Sequence, residues 1–320
     1  MDRYHRQVLF PAVGTSGQQR IRHATVAIVG VGALGSVSAE LLCRAGIGRL
    51  ILIDRDFVDE TNLQRQALFD EHDVGTAKAL AAQQHLQKIN REVQVVSYVE
   101  DLHFTTIESL LKGADVILDG TDNLETRFLM NDYSLKYHRP WVYGGAIQDR
   151  GFVMAFLGKG KPCFRCVVKE RADVGTCDTI GVLNTITHLI ASLQVQHCIR
   201  ILLGRPMHGL THVNLTDNTF DVLHVREDKN CSTCTGDYPY LEGREGQQVV
   251  RFCRIGQFQL FASPPLNLHH LKQRLQKSGP VDDLGFCLVF QGMKIFHDRV
   301  LIPAEDEKRA RALYAQYIGP

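Results

Sequence analysis

The stretch Thr25-Val-Ala-Ile-Val-Gly-Val-Gly-Ala-Leu-Gly35 decides the fold of this chain. Its first part is a short β-rich apolar run that stops on glycine, which is typical of a buried parallel strand. Three glycines spaced Gly-x-Gly-x-x-Gly then lead into a helical segment, Ala33 to Ala45. A second strand at Arg49 to Asp54 completes a βαβ unit. The free amides at the start of the helix favour a phosphate, so a nucleotide site is predicted, although this motif serves several nucleotides.

Strands and helices continue to alternate along the next hundred residues. Further strands are predicted at 93–99, 115–119, 141–143 and 152–156, and helices at 77–89, 105–111 and 124–137. This alternation predicts an α/β fold of the Rossmann-like, doubly wound type, with a mostly parallel sheet and helices on both faces. Beyond residue 158 we expect a buried helix at 182–203 and strands at 211–215 and 220–225. We predict one domain over residues 1–240 and a small C-terminal α+β appendage over 241–320.

Charge and hydropathy exclude some classes of function. The 320-residue chain has a formal net charge of +1, so no broad basic field favours nucleic acid. The most apolar helix is interrupted by polar residues and is expected to pack inside the protein rather than in a membrane. The charged start, Met1 to Arg6, lacks the apolar core of a signal peptide, which favours a cytoplasmic protein.

Four of the nine cysteines form two close pairs, Cys163/Cys166 and Cys231/Cys234. One such pair alone could be a redox dithiol. Two pairs match the ligand set of a closed, tetrahedral, four-thiolate zinc site, provided that the fold brings them together. We therefore predict structural zinc. Cys177 stands apart in a polar segment, where it is either a reactive thiol or, as is more common for free cysteines, inert.

Polar residues follow the predicted strands at the positions where an open α/β sheet binds ligands. Asp54 is placed to accept hydrogen bonds from a ribose. Arg65 and Lys78 could neutralise phosphates, although an isolated arginine or lysine is more often an ordinary surface residue. Asp122, in Asp119-Gly-Thr-Asp-Asn123, could hold Mg²⁺, but aspartate and asparagine also cap helices well. Spacing alone favours the two roles of this segment about equally.

As an ordered set, these motifs resemble the ThiF/MoeB/HesA family, bacterial relatives of the ubiquitin-activating enzymes. The resemblance runs from Tyr4 to Cys234 and includes Arg3-Tyr-His-Arg6-Gln7, Asn62-Leu-Gln-Arg65-Gln66 and Gly75-x-x-Lys78. It implies an enzyme that uses ATP and Mg²⁺ to adenylate the C-terminal Gly-Gly carboxylate of a ubiquitin-like sulfur carrier protein. A structural Zn²⁺ ion bound by the four paired cysteines is implied as well.

The resemblance also implies roles for single residues. Asp54 would bind ribose, Asn62, Arg65 and Lys78 would contact phosphates, and Asp122 would hold Mg²⁺. The implied ATP-binding set as a whole is Gly30, Gly32, Ala33, Gly35, Asp54, Asp56, Asn62, Arg65, Lys78, Asp122 and Asn123. Arg6 matches an arginine that reaches the ATP of the neighbouring subunit, which implies a homodimer. Cys177 matches a cysteine that in some members forms a covalent link with the carrier.

The tail, Arg299 to Gly319, is similar to that of thiazole-biosynthesis ThiF proteins, so we expect a ThiS-type carrier. The length after Cys234 is too short for a rhodanese-like domain, so sulfur is expected from a separate donor such as a cysteine desulfurase. Several alternatives remain. The substrate could be a molybdopterin-synthase carrier of the MoeB type, a carrier for a different sulfur-containing product, or a peptide C-terminus. The protein could also be a non-catalytic scaffold or an NAD-dependent oxidoreductase.

Overall fold

An eight-stranded sheet organises the first part of the chain. The computed structural model describes residues 3–160, 162–168, 181–246, 249–251, 257–262 and 265–319. The strands of this sheet are β1 Thr25–Val29, β2 Arg49–Ile53, β3 Gln94–Tyr98, β4 Val116–Asp119, β5 Trp141–Ile147, β6 Arg150–Phe156, β7 Leu210–Asn214 and β8 Thr219–Leu223. Their order is β3-β2-β1-β4-β5-β6-β7-β8. Strands β1 to β5 pair in parallel, and the pairs from β5 to β8 are antiparallel. The predicted mostly parallel sheet is confirmed.

Helices cover both faces of this sheet. They are α1 His5–Val8, α2 Gly14–His23, α3 Ala33–Ala45, α4 Lys78–Ile89, α5 Ile107–Leu110, α6 Leu124–Tyr137, α7 Phe164–Val167 and α8 Asn184–Leu202. Strand β1 is buried on both sides. Val26 and Ile28 join an apolar cluster with α3, α4 and α8, while Ala27 and Val29 join another with α5 and α6. This two-sided burial explains the continuous apolar run of β1.

The chain divides into two compact units, Met1–Glu245 and Gly246–Pro320. The second unit has a six-stranded antiparallel sheet in the order β11-β12-β13-β14-β10-β9. Its strands are β9 Val249–Arg251, β10 Gln257–Phe261, β11 Asp282–Asp283, β12 Leu288–Phe290, β13 Met293–Ile295 and β14 Arg299–Pro303. Helices α9 Leu268–Leu275 and α10 Glu307–Tyr317 pack on it around a separate apolar core. In the described part of the chain, none of the helices combines the length and apolar composition needed to cross a bilayer.

The sheet order creates a crevice beside β1. Strand β1 lies between β2 and β4. The chain runs from β1 to β2 and β3 on one side of β1, and then returns to form β4 on the other side of β1. Ligands of open α/β sheets bind at such a reversal, outside the carboxyl ends of the strands. The backbone N–H of Gly30 donates to Ile53 (2.8 Å) and that of Gly120 donates to Val29 (2.8 Å), which joins the three strand ends.

Candidate active site and metal centre

The glycine loop after β1 is built so tightly that two of its glycines, Gly30 and Gly35, have no room for a side chain. Gly30 has φ +83°, and a Cβ there would lie 2.6 Å from the carbonyl oxygen of Gly120. A Cβ on Gly35 would lie 1.9 Å from the carbonyl oxygen of Gly30. These close approaches bring the start of α3, at Ala33, onto the strand ends. The first N–H groups of an α-helix have no acceptor within the helix, so the start of α3 offers amides to a phosphate.

Asp54 follows β2 and fixes the glycine loop. Its carboxylate accepts the N–H of Val31 at 2.6 Å and the N–H of Asp56 at 2.7 Å. Burial raises the pKa of Asp54 to about 6, against the opposing charge of Lys78. The side chain predicted to bind ribose therefore lies directly against the loop predicted to bind phosphate.

Lys78 returns to the same strand end although 24 residues separate it from Asp54. Two backbone hydrogen bonds bring it there. The Lys78 N–H donates to the Asp56 carbonyl at 2.9 Å, and the Val58 N–H donates to the Thr76 carbonyl at 2.8 Å. The Lys78 ammonium lies 3.4 Å from the Asp56 carboxylate, and the lysine side chain is only 8% exposed. Burial lowers the pKa of Lys78, but Asp56, Asp54 and Asp122 outweigh it and raise the pKa. This buried cation therefore stays charged.

The Asn62–Gln66 segment lies between these residues in the chain and follows a 3₁₀-helix, Glu60–Asn62. Gln66 is buried, and its Nε2 atom is 3.8 Å from where a Gly32 Cβ would stand, so the segment packs against the glycine loop. The Arg65 guanidinium donates to the Thr61 carbonyl at 3.0 Å. The sequence motif contained Gln66, but the spacing of residues along the chain could not show that Gln66 lies close to the glycine loop.

For the segment after β4, the sequence left two roles open, helix capping and Mg²⁺ binding, and different residues of the segment are available for them. The side chain of Asn123 accepts the Thr126 N–H at 2.8 Å and caps α6. Asp122 is exposed and is not the cap. It interacts electrostatically with Arg55, Lys78 and Arg127, which places it in the same crevice. An exposed carboxylate here is the type of ligand that Mg²⁺ takes alongside nucleotide phosphates.

Two buried groups beneath this segment were not predicted. Arg127 donates from Nε to the Asp119 carboxylate at 2.8 Å, and its guanidinium lies 5.1 Å from the centre of the Tyr143 ring. Gln194 of α8 donates to the Asp119 carbonyl at 2.7 Å, and a Cβ on Gly144 would collide with it at 2.4 Å. Both residues sit inside helices with ordinary sequences, so no local signal marked them.

The four paired cysteines converge on one point. The sulfur atoms of Cys163 and Cys166 are 3.8 Å apart, those of Cys163 and Cys231 are 3.7 Å apart, and those of Cys166 and Cys234 are 3.7 Å apart. A tetrahedron with Zn–S distances of about 2.3 Å has edges of about 3.8 Å, so the spacing fits one zinc ion. None of these cysteines is in a disulfide. They form a cluster able to hold a metal ion.

Helix α6 brings the two cysteine pairs together. Its Asn131 side chain accepts the N–H of Phe164, inside the first pair, at 2.8 Å. Its Asp132 carboxylate accepts the N–H groups of Tyr240 at 2.9 Å and Leu241 at 3.3 Å, just after the second pair. Both polar side chains are buried in the helix. Adjacent residues of one helix thus bind the first cysteine segment and the segment that follows the second pair.

Two further candidate residues, Arg6 and Cys177, were predicted from the sequence. Arg6 lies on α1 and is exposed. Cys177 lies outside the described residues, so its predicted role stays a prediction.

Comparison with known proteins gives a consistent result. The model of the ThiF family matches residues 4–234. A Bacillus subtilis protein named sulfur carrier protein ThiS adenylyltransferase is 32% identical, with 99% of both chains covered. A Thermus thermophilus protein named sulfur carrier protein adenylyltransferase is 36% identical over 80% of this chain and 97% of its own length.

The fold is also shared with solved structures. A crystal structure of Escherichia coli MccB with ATP has a TM-score of 0.64 at 22% identity, covering 73% of this chain and 74% of that one. At this identity the likeness shows the fold alone. The match to the family model over most of the first unit, and the Bacillus subtilis relative that aligns along nearly the whole chain, establish that the protein belongs to the ThiF family.

Proposed function

We propose that this chain is an ATP-dependent adenylyltransferase that activates the C-terminal Gly-Gly carboxylate of a ubiquitin-like sulfur carrier protein of the ThiS type. The observation that carries the proposal is the meeting of the glycine loop, Asp54, Lys78 and Asp122 around one crevice. An oxidoreductase that binds NAD would use the loop and Asp54. It would have no use for a buried lysine beside an exposed carboxylate.

The proposed reaction is nucleotidyl transfer. A carboxylate oxygen of the carrier attacks the α-phosphorus of ATP, the bond from that phosphorus to the bridging oxygen breaks, and pyrophosphate leaves with the electron pair. No proton has to move, so the protein needs to position the reactants and neutralise charge rather than supply an acid or base. Mg²⁺ held by Asp122 would stabilise negative charge on the phosphate oxygens.

The remaining residue roles are part of the proposal. Asp54, with one lone pair left on each oxygen beside its two N–H donors, would accept from the ribose. Lys78, Arg65 and Asn62 would contact the phosphates. The loop residues Gly30, Gly32, Ala33 and Gly35, together with Asp56 and Asn123, would complete the ATP-binding set.

A homodimer is also proposed, because Arg6 is exposed on α1 and would have to act on the ATP of a second copy. The neighbouring Leu9 and Phe10 are 66% and 59% exposed, which gives this end of the chain an apolar surface beside the arginine. Sulfur would come from a separate donor such as a cysteine desulfurase. A cytoplasmic location is proposed because zinc-binding cysteines must stay reduced.

The test is ATP–pyrophosphate exchange with purified protein, Mg²⁺ and candidate carriers. Exchange that depends on a ThiS-type carrier is the expected result. Exchange with a molybdopterin-type carrier alone would keep the adenylation and replace the substrate. Tight ATP binding without exchange for any Gly-Gly carrier would contradict the proposal and favour a scaffold.

The Asp122→Ala variant tests the site itself. We expect exchange to fall about 100-fold or more, because the Mg²⁺ ion that neutralises charge on the phosphates loses its protein ligand. Zinc content and thermal midpoint should stay unchanged, since Asp122 is exposed and does not cap α6. Glu227→Ala, which removes another exposed carboxylate, is the matched control and should exchange normally. Near-normal exchange by Asp122→Ala would remove this residue from the site.

A further inference from the structure

A buried arginine lies beneath the segment that carries Asp122, and none of the proposed roles uses it. The Arg127 side chain is 11% exposed, and its partner Asp119 is fully buried. Burying two charges costs desolvation energy that two apolar side chains of similar volume would avoid. Stability alone is therefore a poor explanation for this pair. Its position beside the crevice suggests that it serves the site.

The pair holds Thr121 from two sides. Asp119 Oδ1 accepts the Thr121 N–H at 2.9 Å and its hydroxyl at 2.7 Å. Arg127 Nη2 donates to the Thr121 carbonyl at 2.6 Å and to the Gly144 carbonyl of β5 at 3.1 Å. One guanidinium thus connects the end of β4, the loop that follows it and the neighbouring strand.

Asp122 stands between two restrained residues. Thr121 before it is held by these three hydrogen bonds, and Asn123 after it caps α6. The backbone at Asp122 is therefore fixed while its carboxylate stays exposed in the crevice. A ligand on a rigid backbone keeps its direction toward a metal ion without losing conformational freedom on binding.

We infer that Arg127 is a positioning residue, which fixes the Asp122 carboxylate for the Mg²⁺ of bound Mg·ATP. The inference rests on the proposed function. Three of the five N–H groups of Arg127 are donated to protein acceptors, on β4, on the loop that follows it and on β5, so its role is assigned through the position of Asp122. A lysine keeps the charge but is a point donor without the rigid fork of a guanidinium, so it cannot make the same set of bonds.

The experiment compares Arg127→Lys with the wild-type protein. ATP binding is measured by calorimetry with and without Mg²⁺ in the absence of carrier, and exchange is measured across a Mg²⁺ titration. We expect the Mg²⁺ concentration for half-maximal exchange to rise about 10-fold or more, as when outer partners of a metal ligand are removed. Metal-free ATP affinity should change less than about 3-fold, and high Mg²⁺ should restore exchange.

The control is Arg274→Lys in the second unit, which also removes guanidinium bonds to backbone carbonyls, those of Tyr317 at 2.8 Å and Ile318 at 2.6 Å. Its Mg²⁺ curve should match the wild type. Zinc content and thermal midpoint report folding of each variant. A wild-type Mg²⁺ curve for Arg127→Lys, or an equal loss of ATP affinity with and without Mg²⁺, would overturn the inference.

A second variant covers the case in which Arg127→Lys does not fold. Thr121→Val removes only the hydroxyl bond to Asp119 and leaves the buried ion pair in place. It should shift the Mg²⁺ curve in the same direction, and a wild-type curve would overturn the inference. Absence of carrier-dependent exchange in the wild-type protein would instead refute the proposed function, so the two failures are distinguishable.

Discussion

Asp132 is a buried titratable group in α6, the helix that hydrogen-bonds to the first cysteine pair and to the segment that follows the second. Its carboxylate is fully buried and accepts the N–H groups of Tyr240 and Leu241. Burial raises the pKa of Asp132 to about 7, because it outweighs these two donors and the charge of Arg165. Asp132→Asn keeps an oxygen acceptor of the same size and removes the titrating proton. The variant therefore isolates the cost of the buried charge.

The sign and size of the effect follow from linkage. An unfolded aspartate has a pKa of about 3.9, so the folded protein retains a proton that the unfolded chain loses. The stability contributed by Asp132 is present in full below about pH 4 and is lost as the pH rises through about 7. Between pH 5 and a pKa of about 7, about two units at about 1.4 kcal/mol each amount to roughly 3 kcal/mol. The wild type should lose this much by pH 8, and Asp132→Asn should not.

The assay is the thermal midpoint of both proteins at pH 5, 6, 7 and 8 with zinc present. For a unit of this size, 1 kcal/mol corresponds to about 2–4 °C, so the variant should gain about 6–12 °C on the wild type between pH 5 and 8. Protonation of the zinc ligands affects both proteins alike and cancels in the difference. Glu227→Gln, with an exposed carboxylate, should stay parallel to the wild type. A pH-independent difference for Asp132→Asn would refute the reasoning.

Two other perturbations test the glycine loop and the metal centre. Gly30→Ala should weaken ATP binding about 100-fold or more in calorimetry and lower the thermal midpoint. The reason is that a Cβ would stand 2.6 Å from the Gly120 carbonyl oxygen and that φ is +83° at this position. Binding within about 3-fold of the wild type would contradict the predicted phosphate-binding loop. Metal analysis should find about one zinc per chain, and Cys231→Ser should lose it with a lower midpoint, because three thiolates leave the tetrahedron open. A metal-free protein with full stability and activity would refute the structural zinc site.

The features that follow from local patterns were predictable from the sequence. The apolar run of β1 and the glycines after it fix a strand, a turn and a helix through short-range sterics, and the structure has them at Thr25–Val29 and Ala33–Ala45. Strand β5 was predicted over Trp141 to Tyr143, yet it runs to Ile147. The reason is tertiary, since Gly144 leaves room for the Gln194 side chain.

Helix α2, Gly14–His23, was not predicted for a related reason. It begins on glycine and has few apolar residues, but it buries Ile21 and Gln18. Gln18 donates to the Ala45 carbonyl at 3.0 Å and so links the end of α3 to this helix. Long-range hydrogen bonds of this kind leave no periodic trace in a single sequence.

The candidate site divides in the same way. The paired cysteines carry their spacing in the sequence, so their chemistry could be inferred before their geometry was known. The functions of Arg127, Asn131 and Asp132 depend on partners at other strand ends and in the cysteine segments. Polar residues on a helix are normally taken as its solvated face. In this protein these polar helix residues are buried, and only the folded structure shows which residues they contact.

Helix α6 is the element that these observations have in common. Asn123 caps its start beside Asp122, Arg127 holds the same loop from the first turns, and Asn131 and Asp132 bind the two cysteine segments. At about 1.5 Å per residue, the nine residues from the cap to Asp132 span roughly 14 Å. A helix of this length is stiff, so loosening the cysteine cluster would free the end of α6 that lies opposite the cap next to Asp122. We therefore expect a zinc ion in this cluster to affect the proposed reaction without contacting ATP.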